Sequence, residues 1–441
     1  MPARMPSMKR GFFTIMSAQF FSSLADNALF VAAVELLRTS GAAEWQRAAL
    51  VPMFALFYVV LAPFVGAFAD ARPKGRVMFY SNAIKVVGCL MMLFGAHPLA
   101  AYAIVGLGAA AYSPAKYGIL TELLPASQLV KANGWIEGLT IASIILGVLL
   151  GGQLVGPHVS GMLLGLDIPF IDTAIDTPPE AAILLLIFVY MIAAWFNTRI
   201  PRTGVQMRPL RKDMNRSLMC NALELLPDFW TCNSRLWRDR LGQISLSTTT
   251  LFWGVSGNLR YIVLAWSAAA LGYGTTQASS LVGVVAIGTA VGAVLASMRM
   301  RLDMAPRVIP LGICMGVLVI LMNFITNVWL AAPFLIILGG IGGFLVVPMN
   351  ALLQHRGHNL MGAGRSIAVQ NFNEQACILG LGAFYSVSTK FGLSAFGAIT
   401  AFGIVVAGMM WVIQRWHANN LKKYPEEVEH LMQIARHDDH H

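Results

Sequence analysis

Charge is what this sequence has least of. Asp, Glu, Lys and Arg make up 12% of the 441 residues, while 57% are hydrophobic and the mean hydropathy is +0.65. A soluble globular domain carries about 25% charged residues, so a single large water-soluble domain is excluded. The five cysteines, Cys89, Cys220, Cys232, Cys314 and Cys377, form no CxxC pair, which argues against a disulfide frame or a cysteine metal site. No GxxxxGK[ST] run occurs, so ATP drive from this chain is not expected. Nor is there a nucleophile elbow, and no cofactor or enzymatic activity is expected.

What is present is a succession of long apolar runs, the signature of transmembrane helices. About twelve are expected, near 11–37, 46–69, 76–95, 98–123, 128–156, 179–198, 242–271, 276–298, 307–325, 328–353, 362–388 and 393–416. The first is too long for a signal-peptide core and is read as a retained helix. The formal charge of +10 could suggest nucleic acid, but the basic residues alternate by loop. They gather in Lys9/Arg10, Arg72/Lys74/Arg76, Lys131, residues 199–240, Arg299/Arg301/Arg307, Arg356/Arg365 and Lys422/Lys423. The positive-inside rule then places both termini and the central linker in the cytoplasm and leaves no call for a nucleic-acid partner. Within the linker, Leu218–Trp230 reads as an amphipathic helix on the membrane surface.

The halves repeat. A shift of 234 residues places Asp26 on Arg260, Pro114 on Pro348 and Lys116 on Asn350. The expected architecture is all-α: a six-helix half over 1–198, a cytoplasmic linker over 199–241, a second half over 242–417 and a cytoplasmic tail over 418–441. Two parallel six-helix halves are the plan of the major facilitator superfamily, with substrate bound near the midplane.

Three charges interrupt apolar runs: Asp26, Arg260 and Glu374. Each costs at least ~2.5–3.5 kcal/mol at the bilayer centre, so such residues face polar cavities and pair with one another. Polar stripes accompany them: Asn27 beside Asp26, then Asn133, Glu137 and Thr140 at helical spacing, Asn350, and Gln370 and Glu374 with Asn373 adjoining. Each polar residue alone could be an interhelical hydrogen bond; together the stripes suggest a polar cavity. Lys116, just past Pro114, either snorkels to the interface or contacts a phosphate. Gly254 and Gly257 precede Arg260 and suggest local unwinding beside a guanidinium suited to a carboxylate or phosphate.

The segment Gly66-Ala-Phe-Ala-Asp70-Ala-Arg72-Pro-Lys74-Gly75-Arg76 resembles the major facilitator signature G-x-x-x-D-R-x-G-R-[RK], with Arg72 one position late. Gly66 is expected to allow close helix approach, Asp70 to face a helix N-terminus, and Arg72, Gly75 and Arg76 to complete a gating loop.

Distinctive blocks go further: AQFFSSLADNALF, LAPFVGAFADARPKGRVM, GAAAYSPAKYGIL, LVKANGWIEGLTIASIILG, LFWGVSGNLR, FLVVPMNALLQHRG and AGRSIAVQNFNEQA. Over about Ser17–Trp416 the chain resembles the bacterial lysophospholipid transporter family. The acidic 156–179 loop, the long linker and the Lys422–His441 tail depart from it. The resemblance implies a flippase in the bacterial inner membrane that moves lysophosphatidylethanolamine and lysophosphatidylglycerol to the cytoplasmic leaflet by alternating access. It implies membrane lipid as partner and functional coupling to an acyltransferase that uses acyl carrier protein. It also implies that Asp26, Arg260 and Glu374 form a breakable charge lock. The alternative is a proton-coupled drug or metabolite exporter using Asp26, Glu137 and Glu374, and an uncoupler discriminates between them. A scaffold without transport is disfavoured by the buried charges.

Overall fold

The computed structural model describes residues 5–123, 126–165, 177–207, 209, 213–361 and 363–438; side chains at 5–10, 121, 126–134, 137, 297, 358, 363 and 364 are outside that description. Among the described residues there are helices and no strands. This is the economy of a chain in lipid, where backbone groups find partners within their own segment. The helices are α1 (Met5–Thr39), α2 (Glu44–Val60), α3 (Ala62–Ala71), α4 (Lys74–Leu93), α5 (Pro98–Leu123), α6 (Ala126–Leu154), α7 (Pro157–Leu164) and α8 (Pro178–Thr198). The linker carries α9 (Leu218–Leu223) and α10 (Leu225–Arg238). Then follow α11 (Gly242–Leu271), α12 (Thr275–Arg299), α13 (Ile309–Leu321), α14 (Val328–Met361), α15 (Ala363–Lys390), α16 (Ala395–Lys423) and α17 (Pro425–Asp438).

By length and composition seven of these helices can cross a membrane, or up to nine if two bent pairs each count as one span. The remaining three expected spans coincide with α5, α11 and α15, of 26, 30 and 28 residues. These three fall short in apolar composition; α11 opens on the polar run Ser245-Leu-Ser-Thr-Thr-Thr250. The expected span at 46–69 is a broken one: α2 and α3 meet at Leu61 with a bend of 62°. Pro63 explains it, since it offers no N–H and its ring clashes with the carbonyl four residues back. The second bend, 64° between α6 and α7, falls at Gly156-Pro157, where a residue before proline is pushed out of the helical region into the extended one.

The chain divides into two compact units. The first comprises Met1–Leu225 and Gly274–Gly283, the second Leu226–Tyr273 and Val284–His441. In the first, α1 packs on α6 and α8, and α4 on α5 and α8. Ile15, Val77, Met78, Tyr112, Ala115, Ile119 and Ile200 form one buried apolar cluster there. In the second, α11 packs on α14, α15 and α16, and α13 on α16.

A close backbone crossing lies between α12 and α14. A Cβ on Gly292 would stand 2.0 Å from the Gly340 carbonyl oxygen, and one on Gly343 2.2 Å from that of Thr289. Backbone cannot yield as a side-chain tip can. Gly292→Val is therefore expected to cost at least about 1–3 kcal/mol in the second unit, read as a lower unfolding temperature in detergent. Gly408→Ala, where a Cβ meets nothing within 4 Å, is the matched control.

The expected amphipathic segment Leu218–Trp230 is divided between two helices, α9 and α10. Ser217 caps the short α9, its Oγ accepting from the Cys220 N–H at 3.2 Å. The following α10 turns Phe229, Cys232, Asn233 and Leu236 inward, and Phe229 and Trp230 pack edge-on against Phe372 of α15. Phe229 is covered by protein, while Trp230 stays half exposed. The tail is also ordered: α17 buries Val428, Leu431 and Ala435, and Arg436 pairs with Asp303 at 3.2 Å.

Candidate functional site

Asp26 lies mid-helix in α1 and both its oxygens are engaged. Oδ2 accepts from Lys85 Nζ at 2.8 Å and Oδ1 from the Tyr190 hydroxyl at 2.6 Å. Lys85, on α4, also donates to Ser22 Oγ at 2.9 Å, and Ser22 donates to Asn82 Oδ1 at 2.7 Å. The Lys85 ammonium stands 5.1 Å from the Tyr112 ring centre and 5.6 Å from that of Tyr190, so two aromatic faces shield it as well. Three helices, α1, α4 and α8, thus converge on one ion pair in a single unit. Desolvating two charges is repaid only by geometry and hydrogen bonding this complete.

Lys85, Ser22, Asn82 and Tyr190 were not foreseen. Lys85 did carry a signal: it interrupts the apolar stretch Val77–Leu93 just as Asp26 interrupts α1. Tyr190, within an apolar run, carried none. Asp26 is thus matched by a cation within its own unit. Arg260 and Glu374 both belong to the second unit, Asp26 to the first.

In the second unit Gln370 joins two of the other expected residues. Its Nε2 donates to Asn350 Oδ1 at 2.6 Å and to Glu374 Oε1 at 2.8 Å, linking α14 to α15; Gln370 and Glu374 are buried. Asn373 is one residue before Glu374 yet points elsewhere. Its Nδ2 donates to Asn233 Oδ1 at 2.8 Å, and its Oδ1 accepts from Trp237 Nε1 at 3.1 Å, both on α10. A step of one residue rotates a helical side chain by about 100°, which turns Asn373 from the Glu374 face to the linker.

Arg260 sits on α11, which runs unbroken from Gly242 to Leu271. The expected unwinding at Gly254 and Gly257 is absent. These glycines instead admit α15: a Cβ at Gly254 would lie 2.5 Å from Cys377 Sγ, and one at Gly257 3.0 Å from Ile378. Asn258 reinforces the contact, donating to the Ile378 carbonyl at 3.2 Å. The helix carrying Arg260 and the helix carrying Glu374 are therefore closely packed neighbours.

Other expected residues take local roles. Asn27 Nδ2 donates to the Ser23 carbonyl at 2.8 Å, and Gly147 of α6 closes on its Cβ. The Thr140 hydroxyl donates to the Ile136 carbonyl at 2.8 Å. Lys116 is buried with Nζ 4.4 Å from the Tyr117 ring centre. The side chains of Asn133 and Glu137 lie outside the described residues.

In the loop after α3 the organising cation is Lys74. Buried, it donates to the Ala69 carbonyl at 2.8 Å and to Asp70 Oδ1 at 3.0 Å, and its Nζ lies 3.5 Å from Glu122 Oε1. Arg72 and Arg76 are exposed. Gly75 packs against Ile200 and the Asn197 carbonyl, whereas a Cβ on Gly66 would meet nothing within 4 Å. Close approach belongs to Gly75, not to Gly66.

A further ion pair outside these clusters holds the linker. Arg356 grips Asp239 with both ends of its fork, Nε to Oδ2 at 3.0 Å and the second nitrogen to Oδ1 at 2.7 Å. Asp239 Oδ2 also accepts from the Gly242 N–H at 2.8 Å, capping α11.

Long apolar helices in two units, each with charged and amide side chains hydrogen-bonded in its interior, mark a multi-pass membrane protein. The profile of the Major Facilitator Superfamily matches residues 15–381. The chain is 40% identical over 394 residues to "Lysophospholipid transporter LplT" of Yersinia enterocolitica, covering 88% of this chain and 89% of that one. It is 39% identical over 393 residues to the protein of the same name from Yersinia pestis, with the same coverage. Among solved structures, a POT family transporter superposes with a TM-score of 0.69 at 12% identity, over 93% of this chain and 96% of that one. A bacterial homolog of the human lysosomal transporter Spinster gives 0.59 at 14% identity, over 98% of both. These two likenesses establish the fold. The chain belongs to the major facilitator superfamily and, within it, to the lysophospholipid transporter family.

Proposed function

We propose that this protein carries lysophospholipids across the bacterial inner membrane to the cytoplasmic leaflet by alternating access. The observation that carries the reading is 40% identity over nearly nine-tenths of the chain to a lysophospholipid transporter. Physical chemistry supports it. Such a substrate needs charged and hydrogen-bonding groups for a phosphate headgroup and apolar surroundings for one acyl chain. Arg260 supplies a planar fork suited to phosphate; Glu374, held by Gln370, and Asn350 supply the adjoining polar surface. The headgroup competes for Arg260, and Asp26, Arg260 and Glu374 act as the gating charges. Lysophosphatidylethanolamine and lysophosphatidylglycerol are the proposed cargo, with both termini in the cytoplasm as the basic loops direct. The product is then reacylated by an acyltransferase that draws on acyl carrier protein.

The test is uptake of labelled lysophosphatidylethanolamine into proteoliposomes, with and without an uncoupler. Uptake that persists with the uncoupler supports the reading. Failure to move the lipid, or uncoupler-sensitive transport of soluble cations in its place, assigns the proton-coupled exporter.

A further inference from the structure

We infer that Lys85 determines which headgroup charge the site accepts, by neutralising Asp26 from its sealed side. The inference rests on the lysophospholipid reading and names a specificity residue for it.

The pair is asymmetric. The Asp26 side chain is 20% exposed, the Lys85 side chain 2%. A charged group partly exposed within a membrane helix faces a polar cavity rather than hydrocarbon. A ligand can therefore approach the carboxylate, while the ammonium stands behind it, enclosed by Ser22 and the rings of Tyr112 and Tyr190. Lys85 is unsuited to binding the headgroup itself. What it supplies is charge: with it, this face of the cavity sums to zero; without it, the face carries one uncompensated negative charge.

That difference matters unequally to the two proposed cargoes. Lysophosphatidylethanolamine has a phosphate and an ammonium and is neutral overall. Lysophosphatidylglycerol has the phosphate alone and is an anion. A bare carboxylate repels the second and offers the ammonium of the first a partner. At separations of several ångströms in a partly polar site, one unit charge is worth on the order of tenfold in affinity. Lys85 is thus the residue that keeps anionic headgroups acceptable to a site containing Asp26.

The experiment measures KM and kcat for both lipids in proteoliposomes for wild type, Lys85→Met, Asp26→Asn and the double variant. The ratio of KM for the glycerol lipid to KM for the ethanolamine lipid is the readout. Lys85→Met is expected to raise this ratio on the order of tenfold and Asp26→Asn to lower it. The double variant should return toward the wild-type value. A purely structural role lowers thermal stability and slows both lipids alike with the ratio unchanged, and that result overturns the inference. Should Lys85→Met fail to fold, Asp26→Asn is compared with the charge-neutral double variant. Removing the lysine in that background must raise the ratio, and an unchanged ratio again overturns it. Wild type that transports neither lipid defeats the underlying reading instead, whereas wild type that transports both isolates the role of Lys85.

Discussion

Arg356→Leu should destabilise the second unit by about 3–5 kcal/mol, the cost of stranding one partner of a buried ion pair. The guanidinium of Arg356 and the carboxylate of Asp239 are 6% and 9% exposed and share two hydrogen bonds. The same carboxylate caps the first turn of α11 through the Gly242 N–H. Leucine leaves the Asp239 carboxyl group buried and short of two donors. The expected outcome is a markedly lower unfolding temperature of the purified protein in detergent, with reduced yield. Asp239→Asn/Arg356→Leu removes both charges and should regain part of the loss, because most of the penalty belongs to the orphaned charge rather than to the missing attraction. The exposed pair of Arg216 and Glu224 provides the contrast. Arg216→Ala should change stability by less than about 1 kcal/mol, as solvent-screened pairs do. Equal effects at the two sites would refute the distinction.

Arg260→Ala should reduce lysophospholipid uptake roughly a hundredfold or more, the scale of losing a desolvated charge that pairs with its ligand. The substitution removes the fork proposed to meet the headgroup phosphate. Glu374→Gln tests the other member of the same unit. It keeps an oxygen that can accept from Gln370 but removes the charge, so packing is preserved while gating is not. Both variants should reach the membrane in normal amounts, because each sits on a helix fastened by contacts it does not make. For Arg260 those are the packing of Gly254 and Gly257 on α15 and the Asn258 bond. Uptake at the wild-type rate with normal expression would sink the gating role. Glu374→Gln with unchanged uptake would confine that role to Arg260.

The helical architecture was legible because a bilayer enforces long uninterrupted apolar runs, and length alone locates them. Asp26, Arg260 and Glu374 were legible for the same reason, as violations of that rule. Lys85 breaks the rule equally, but its partner is not written in its own segment; only three-dimensional packing turns it toward Asp26. The Gln370–Glu374 pairing followed from helical spacing. Asn373 did not, since its face is decided by the presence of α10, a segment more than a hundred residues earlier. Gly254 and Gly257 illustrate the remaining difficulty. A glycine permits either a backbone irregularity or a close neighbour, and the choice depends on what packs there. Here α15 does, and α11 stays straight through the site.

The docking of α10 also changes what kind of segment the linker is. A free linker over 199–241 would act as a long, slack leash, with a reach set by its full contour. In this protein the second half of that stretch is fastened to α15 by Trp237, Asn233 and Phe229, and its end is clamped by Asp239. Ahead of it, the linker also carries the short α9. Because the anchor of α10 is on α15, at Asn373 and Phe372, a displacement of α10 is delivered to the helix that carries Glu374.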